Sequence, residues 1–158
     1  MLPMAPVRST SLPIGLHLAR TARAVHHALE RRMGAAGGSL STWQVLVLIR
    51  SRTGGAQSQL ADAMGVTGAT MTHHLTALEA QGLVRRWRRP EDRRVQHAEL
   101  TSAGDELFAR LRTAAQGFDR QLRSALTEHE LATLGELLDK LAGAVGGQAA
   151  STKKGSTA

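Results

Sequence analysis

The chain has no cysteine among its 158 residues. Disulfides within it, thiolate metal sites and thiol-based redox sensing are therefore excluded. No apolar run approaches the roughly 20 residues that a membrane-spanning helix needs. The N-terminus also lacks the charged region followed by an apolar stretch that is typical of a secretory signal. From these absences we expect a cytoplasmic protein with no membrane partner.

Aromatic side chains are scarce, with two Trp, two Phe and no Tyr. The core must therefore be built mainly from Leu, Ala, Val and Met, and leucines at helical spacing pack well in bundles. Lys and Arg number 20 against 13 Asp and Glu, which gives a formal charge of +7. This excess favours a polyanionic partner, nucleic acid before membrane, although a merely basic protein would have the same composition. The placement of the charge has to decide between the two.

Both ends of the chain have the composition of unstructured segments. Residues 1–12 are rich in Pro, Ser and Thr and predict a flexible arm, and residues 146–158 are dominated by Gly, Ser, Thr and Lys and predict a disordered tail. Between them, apolar residues recur at helical spacing over most of 13–145, which predicts one domain.

The pattern within that domain predicts a mainly α fold with one small β-hairpin. Helices are expected at about 13–33 and 101–145, on either side of a central lobe at about 41–100. The only β signal is a pair of short extended runs, 83–88 and 95–100, joined by a turn-prone segment. The terminal helices would then form a dimerisation region.

Residues 57–82 carry the strongest local signal, which is a short helix, a turn at Gly65-Val66 and a longer helix that Thr67 can cap. This is the layout of a helix-turn-helix, in which the second helix enters the major groove of DNA. Its apolar face can pack on the first helix, so the opposite face is free. The side chains expected to meet DNA are Thr67, Ala69, Thr70, Thr72 and His73.

The hairpin that follows is strongly basic. Residues 85–94 contain six arginines, and Glu91 and Asp92 are the only acids there, so the local charge is +4. A projecting loop with this charge suits a narrow minor groove, whose negative potential attracts arginine. A solvated charged turn is the alternative, but the position directly after a helix-turn-helix favours DNA. The hairpin residues expected at the interface are Arg86, Arg88, Arg89, Asp92, Arg93 and Arg94.

Together, these motifs resemble those of the MarR family of bacterial regulators over about residues 56–104. The helix-turn-helix carries Gln57-Ser58-Gln59-Leu60-Ala61, Gly65-Val66-Thr67 and Leu78-Glu79-Ala80-Gln81-Gly82-Leu83-Val84. The most specific piece is Pro90-Glu91-Asp92-Arg93-Arg94 followed by Leu100-Thr101-Ser102-Ala103-Gly104, which matches that family's wing signature.

The resemblance implies a winged helix-turn-helix protein that forms a homodimer through its terminal helices and binds a pseudo-palindrome. It implies that Arg94 reaches the minor groove and that Asp92 orients the wing. His73 departs from the pattern, because family members often carry Arg there. The resemblance also implies a crevice for a small-molecule effector beside the DNA-binding lobe. We expect this crevice near His17, Arg20 and Trp43.

We therefore expect a sequence-specific, ligand-responsive transcriptional repressor without a cofactor. The main alternative is a non-specific architectural DNA-binding protein that has no effector. Enzyme function is poorly supported, because Thr72-His73-His74 has no companion carboxylate at a defined spacing and no Gly-rich phosphate loop follows a strand. The acid-histidine groups His26/Glu30 and Glu128-His129-Glu130 are expected to be exposed helix faces, so no metal site is predicted.

Overall fold

The computed structural model describes residues 12–51 and 55–151. This part of the chain forms six helices and one antiparallel hairpin, as the sequence predicted. Of these helices, none is long and apolar enough to cross a membrane. The elements are α1 (Ile14–Ala35), α2 (Leu40–Ser51), α3 (Gln57–Met64), α4 (Gly68–Ala80), β1 (Val84–Arg89), β2 (Asp92–Leu100), α5 (Ser102–Arg123) and α6 (Glu128–Ser151).

The structure describes different parts of the two chain ends that were predicted to be disordered. The flexible arm expected over residues 1–12 lies outside the described residues except for Leu12. The disordered tail was predicted to begin at residue 146, but α6 continues through Ser151. Glycine costs helix propensity but does not block the backbone hydrogen-bond ladder as proline would, and this stretch contains no proline. Residues 152–158 again lie outside the described part.

The core is almost entirely aliphatic, as the scarcity of aromatics requires. The apolar face of α4 packs on α3, as the helix-turn-helix pattern predicted. The end of α1, α2, both hairpin strands and the N-terminal half of α5 complete the cluster. Burying such side chains stabilises the fold by about 25 cal/mol per Å² of apolar surface. The largest fully buried residues are Met33, Val45, Leu46, Leu60, Met71, Leu75, Val84 and Leu111.

The turn between α3 and α4 depends on Gly65, which has a φ of 70° and ends α3 in the left-handed conformation. Its amide donates to the Asp62 carbonyl, and Val66 N–H donates to the Ala61 carbonyl. A side chain at this φ would be strained, whereas glycine adopts it freely. The tight turn therefore holds α4 against α3 at the spacing that the packed leucines require.

The hairpin is longer at its tip than predicted. β1 pairs with β2 in regular register from Val84↔Leu100 to Arg88↔Gln96, but Arg89 pairs with Asp92 instead of Val95. β2 therefore begins at Asp92, and not at the predicted Val95. The residues between the two pairings form a bulge, which re-aims side chains and increases local twist.

The chain divides into two compact units between Ala115 and Gln116, within α5. The sequence predicted the boundary of the lobe near residue 100, but Leu107 and Leu111 of α5 are buried in the core of the first unit. In the second unit, Thr127 and Glu130 form a capping box at the start of α6. Thr127 N–H donates to Oε2 of Glu130 at 2.8 Å, and Glu130 N–H donates to Oγ1 of Thr127 at 3.3 Å.

Candidate nucleic-acid interface

Helix α4 presents its first turns to solvent. Thr67 caps it as predicted, because its Oγ1 accepts from Thr70 N–H at 3.1 Å and lies 2.9 Å from Thr70 Oγ1. Gly68 and Ala69 are exposed and small, so a phosphate can approach the backbone at the positive end of the helix dipole. His73 is exposed one turn further on, on the surface that Thr70 begins. These residues form an open donor-rich face.

Thr72 is tied into a local network. Its hydroxyl donates to the Gly68 carbonyl at 2.9 Å and accepts from Nε2 of Gln57 at 2.6 Å. Gln57 is the first residue of α3, so this pair links the two helices of the helix-turn-helix. The Gln57 Oε1 is buried and has no hydrogen-bond partner within the described chain. Thr72 is therefore exposed but already engaged, unlike His73.

The tip of the hairpin carries a cluster of free cations. Asp92 accepts the backbone N–H of Arg94 at its Oδ1, at 3.1 Å, and thereby shapes the bulge. Asp92 therefore bonds to the main chain of Arg94, so the Arg94 guanidinium stays available. Four tip arginines are exposed and make no ion pair with any other described residue: Arg88, Arg89, Arg93 and Arg94.

Arg86 differs from these four and departs from the sequence expectation. Its side chain is only 17% exposed, and its Nε and Nη2 donate to Oε2 of Glu79 at 2.9 and 2.6 Å. Its backbone N–H also donates to Oε1 of Glu79, at 3.2 Å. The guanidinium of Arg86 therefore binds α4 and does not project with the tip arginines.

Glu79 was not among the predicted site residues. The hydrogen bond from the Arg86 side chain is the main reason why the pKa of the Glu79 carboxyl lies below its usual range, and the Arg86 backbone N–H lowers it further. Glu79 and Arg86 are seven residues apart, and a helix end and a glycine lie between them. No known motif has this spacing, so the sequence gives no indication of the pair.

A second arginine of β1 is also paired. Arg85 donates through Nε, at 2.8 Å, and through Nη2 to Oε1 of Glu99 in β2. Arg85 and Glu99 face each other in the strand register, so this pair lies within the hairpin. Further along the hairpin, the Trp87 ring stacks on His97 with centroids 4.6 Å apart. Neither contact involves the four arginines at the tip of the hairpin.

The Leu-Thr-x-x-Gly segment joins the hairpin to α5. Thr101 Oγ1 donates to the Gly82 carbonyl at 2.5 Å and accepts Gly104 N–H at 3.1 Å. A Cβ at Gly104 would lie 2.0 Å from the backbone oxygen of Leu83, so only glycine fits. The two ends of the hairpin are thus clamped together beside α4.

The three expected effector residues are divided between two cavities of the described chain. His17 and Arg20 line an open cavity of about 550 Å³ along α1. Trp43 lines a separate one of about 260 Å³ with residues of α2 and α3, and its ring stacks on Phe108 with centroids 5.2 Å apart. Trp43 is therefore held by core packing. The two polar residues of the expected effector site, His17 and Arg20, both belong to α1.

The glutamates Glu30 and Glu130 of the two acid-histidine groups accept hydrogen bonds at helix starts. Glu30 accepts Leu40 N–H at 3.0 Å and so caps the start of α2, while His26 is exposed. Glu130 belongs to the capping box of α6. Among the described residues, no group of three His, Asp or Glu side chains could hold a metal ion.

Comparison with known proteins gives a consistent result. The MarR family model matches residues 39–95. A putative transcriptional regulatory protein for the hcr operon of Thauera aromatica is 30% identical over 129 residues, which cover 81% of this chain and 78% of that protein. The HTH-type transcriptional regulator YdgJ of Bacillus subtilis is 29% identical over 66% of this chain and 64% of its own length, just under two thirds of it.

A solved structure extends the similarity beyond the lobe. The PcaV transcriptional regulator of Streptomyces coelicolor, determined with its natural ligand, has a TM-score of 0.70 and 25% identity, and the match covers 90% of this chain and 99% of that one. The similarity therefore includes helices on both sides of the motif-bearing region. The chain belongs to the MarR family and is a winged helix-turn-helix transcriptional regulator, not an enzyme.

Proposed function

We propose that this chain is a ligand-responsive repressor that binds a pseudo-palindromic DNA operator as a homodimer. The observation that carries the DNA-binding part is that the exposed tip arginines Arg88 and Arg94 line one cavity with Gly68 and Thr72, in the first turns of α4. A helix and a projecting basic hairpin can occupy a major groove and the adjacent minor groove at once. In this assignment Thr70 and His73 face base edges, Ala69 lies close to the backbone, and Arg94 enters the minor groove.

The proposed homodimer is supported by apolar side chains that α1 and α6 leave in solvent. α6 alone exposes Leu134, Leu137, Leu138, Leu141 and Val145 to between 38% and 75%. In α1, Ile14 and Leu16 are more than half exposed. A second copy of the chain would cover such stripes, and two-fold symmetry would present two recognition helices to two half-sites.

The proposed effector is a small anionic molecule that binds beside α1. Arg20 and His17 line the same cavity, and a guanidinium with an imidazole suits a carboxylate. PcaV, which has the same fold, was solved with its natural ligand. The ligand would favour a dimer whose recognition helices are wrongly spaced for the two half-sites. A coupling free energy of about 1–3 kcal/mol between ligand binding and DNA binding would then release the operator.

Selection from a random duplex library tests this function. A regulator enriches an inverted repeat and binds it about 10³-fold or more tightly than unrelated DNA of equal length. Transcription in vitro from a promoter that overlaps the selected site should fall when the protein is added. Enrichment of no sequence, with equal affinity for all duplexes, would instead support the non-specific architectural alternative. Activation of that promoter would refute the repressor assignment.

A further inference from the structure

We propose that Glu79 is a positioning residue for DNA binding, which sets the angle between the recognition helix α4 and the hairpin so that both meet DNA together. The proposal rests on the proposed function, because it assumes that the helix and the hairpin contact one duplex. Glu79 itself has no role at the DNA surface, and it acts through the Arg86 backbone and side chain.

The contacts of Glu79 connect two elements that follow each other in the chain. Glu79 lies in the last turn of α4, and Arg86 is the third residue of β1. Three hydrogen bonds of 2.6–3.2 Å join them, and one of them is donated by the β1 main chain itself. The carboxylate therefore fixes the strand directly as well as through a flexible side chain.

Backbone hydrogen bonds hold the base of this joint. Gly82 N–H donates to the Glu79 carbonyl, Leu83 N–H donates to the Leu78 carbonyl, and the Gly82 carbonyl accepts from Thr101 Oγ1. Arg86 lies further along β1, so the Glu79 carboxylate attaches the strand to α4 beyond that base. A two-stranded hairpin is also marginally stable without packing on another element. Without this attachment the outer part of the hairpin would sample more orientations. Arg94 would then meet the minor groove in only a fraction of them, and the apparent affinity falls by that fraction.

The neighbouring pair Arg85–Glu99 provides a matched control. It has the same chemistry and joins an arginine of β1 to a glutamate, but both partners belong to the hairpin. Glu79→Gln and Glu99→Gln each remove one negative charge and one arginine pair. Only the first loosens the hairpin from α4, so a difference between the two variants indicates positioning and not charge.

A distance measurement tests the positioning without DNA. The full-length chain has no cysteine, so Thr76→Cys in α4 and Glu91→Cys at the hairpin tip accept spin labels cleanly. The labelled protein is diluted with unlabelled chain, so that only pairs within one subunit contribute. We expect the distance distribution to broaden in Glu79→Gln and to keep its width in Glu99→Gln. Equal widths in both variants would overturn the proposal.

A double-mutant cycle tests the consequence for DNA. Glu79→Gln should weaken binding to the selected operator roughly three- to thirtyfold relative to Glu99→Gln, the range expected for coupled neighbouring groups. In an Arg94→Ala background the effect of Glu79→Gln should largely disappear, because the hairpin no longer places a guanidinium in the groove. An undiminished effect in that background would show that Glu79 does not act through the hairpin tip.

Arg86→Lys guards against a variant that fails to fold. Lysine keeps the charge but has no planar fork, so it should give an intermediate distance width and an intermediate loss of affinity. A width and an affinity that match the wild type would count against the proposal. If the wild type binds no DNA specifically, the proposed function fails, but the distance measurement still decides whether Glu79 holds the hairpin.

Discussion

At the scale of single residues, the six arginines of the hairpin have different surroundings. Arg85 and Arg86 are paired with Glu99 and Glu79, whereas the four tip arginines make no ion pair with any other described residue. Asp92 lowers the positive charge of the hairpin, but it also accepts the Arg94 backbone N–H and so orders the bulge that carries Arg94. A count of charges along the sequence cannot distinguish these roles.

The salt dependence of operator binding should separate them. Arg94→Ala should weaken binding and flatten the log–log slope by about 0.9 for each phosphate that the variant no longer neutralises. Asp92→Ala should also weaken binding although it removes a negative charge, because the tip loses its order. Titrations at several salt concentrations with a folded variant measure both effects. Tighter binding by Asp92→Ala would mean that the hairpin acts through charge alone.

Gly104 is a residue whose smallness the fold requires. Gly104→Ala places a Cβ against the Leu83 carbonyl, so the joint between hairpin and α5 must open, and overpacking of this kind costs about 1–3 kcal/mol or more. Gly34→Ala, whose Cβ meets nothing within 4 Å, is the control and should leave stability equal or higher. Urea denaturation of both variants measures the difference. Equal stabilities would show that the backbone relaxes freely there.

At the scale of elements, the junction of α4 and β1 should respond to acid. The pKa of Glu79 is lowered in the folded chain, so its pairing stabilises the fold above the ordinary glutamate pKa, and this contribution is lost as pH falls. Its size is small, because the side chain is 38% exposed and solvent screens the pair.

The difference in unfolding free energy between wild type and Glu79→Gln should therefore be largest near neutral pH. It should shrink as the pH is lowered through the range below about 4.3, where glutamate protonates. Glu99→Gln again serves as the matched control for removal of a paired carboxylate. Urea denaturation near neutral pH and again below the ordinary glutamate pKa measures this difference. A difference that grows toward acid would contradict the lowered pKa.

At the scale of the whole molecule, the apolar stripe of α6 is open to solvent, and the proposed dimer would cover it. Leu138→Asp should place an unpaired charge in the proposed seam and dissociate the dimer, at a cost of several kcal/mol. Ala132→Asp adds the same charge one turn from both Glu128 and Glu136, on the side of α6 away from the leucines, and should leave the dimer intact. Sedimentation of the variants and the wild type measures this. A wild type that is monomeric at micromolar concentration would refute the homodimer.

The amino-acid sequence by itself determined the elements and the kind of partner. Helical periodicity, the caps at Thr67, Thr101 and Thr127 and the turn glycine Gly65 are local features, and their hydrogen bonds join residues within one or two turns. The basic hairpin after a helix-turn-helix is equally local, so the family could be identified from the motifs alone.

Only the tertiary structure decided which side chains are free. Arg86 and Glu79 lie on different elements, Trp43 and His17 line different cavities, and the bulge at Arg93-Arg94 depends on strand register. Such pairings depend on the angle at which helices and strands pack, and no spacing along the chain encodes that angle. The division of the arginines between scaffold and surface therefore appears first in three dimensions.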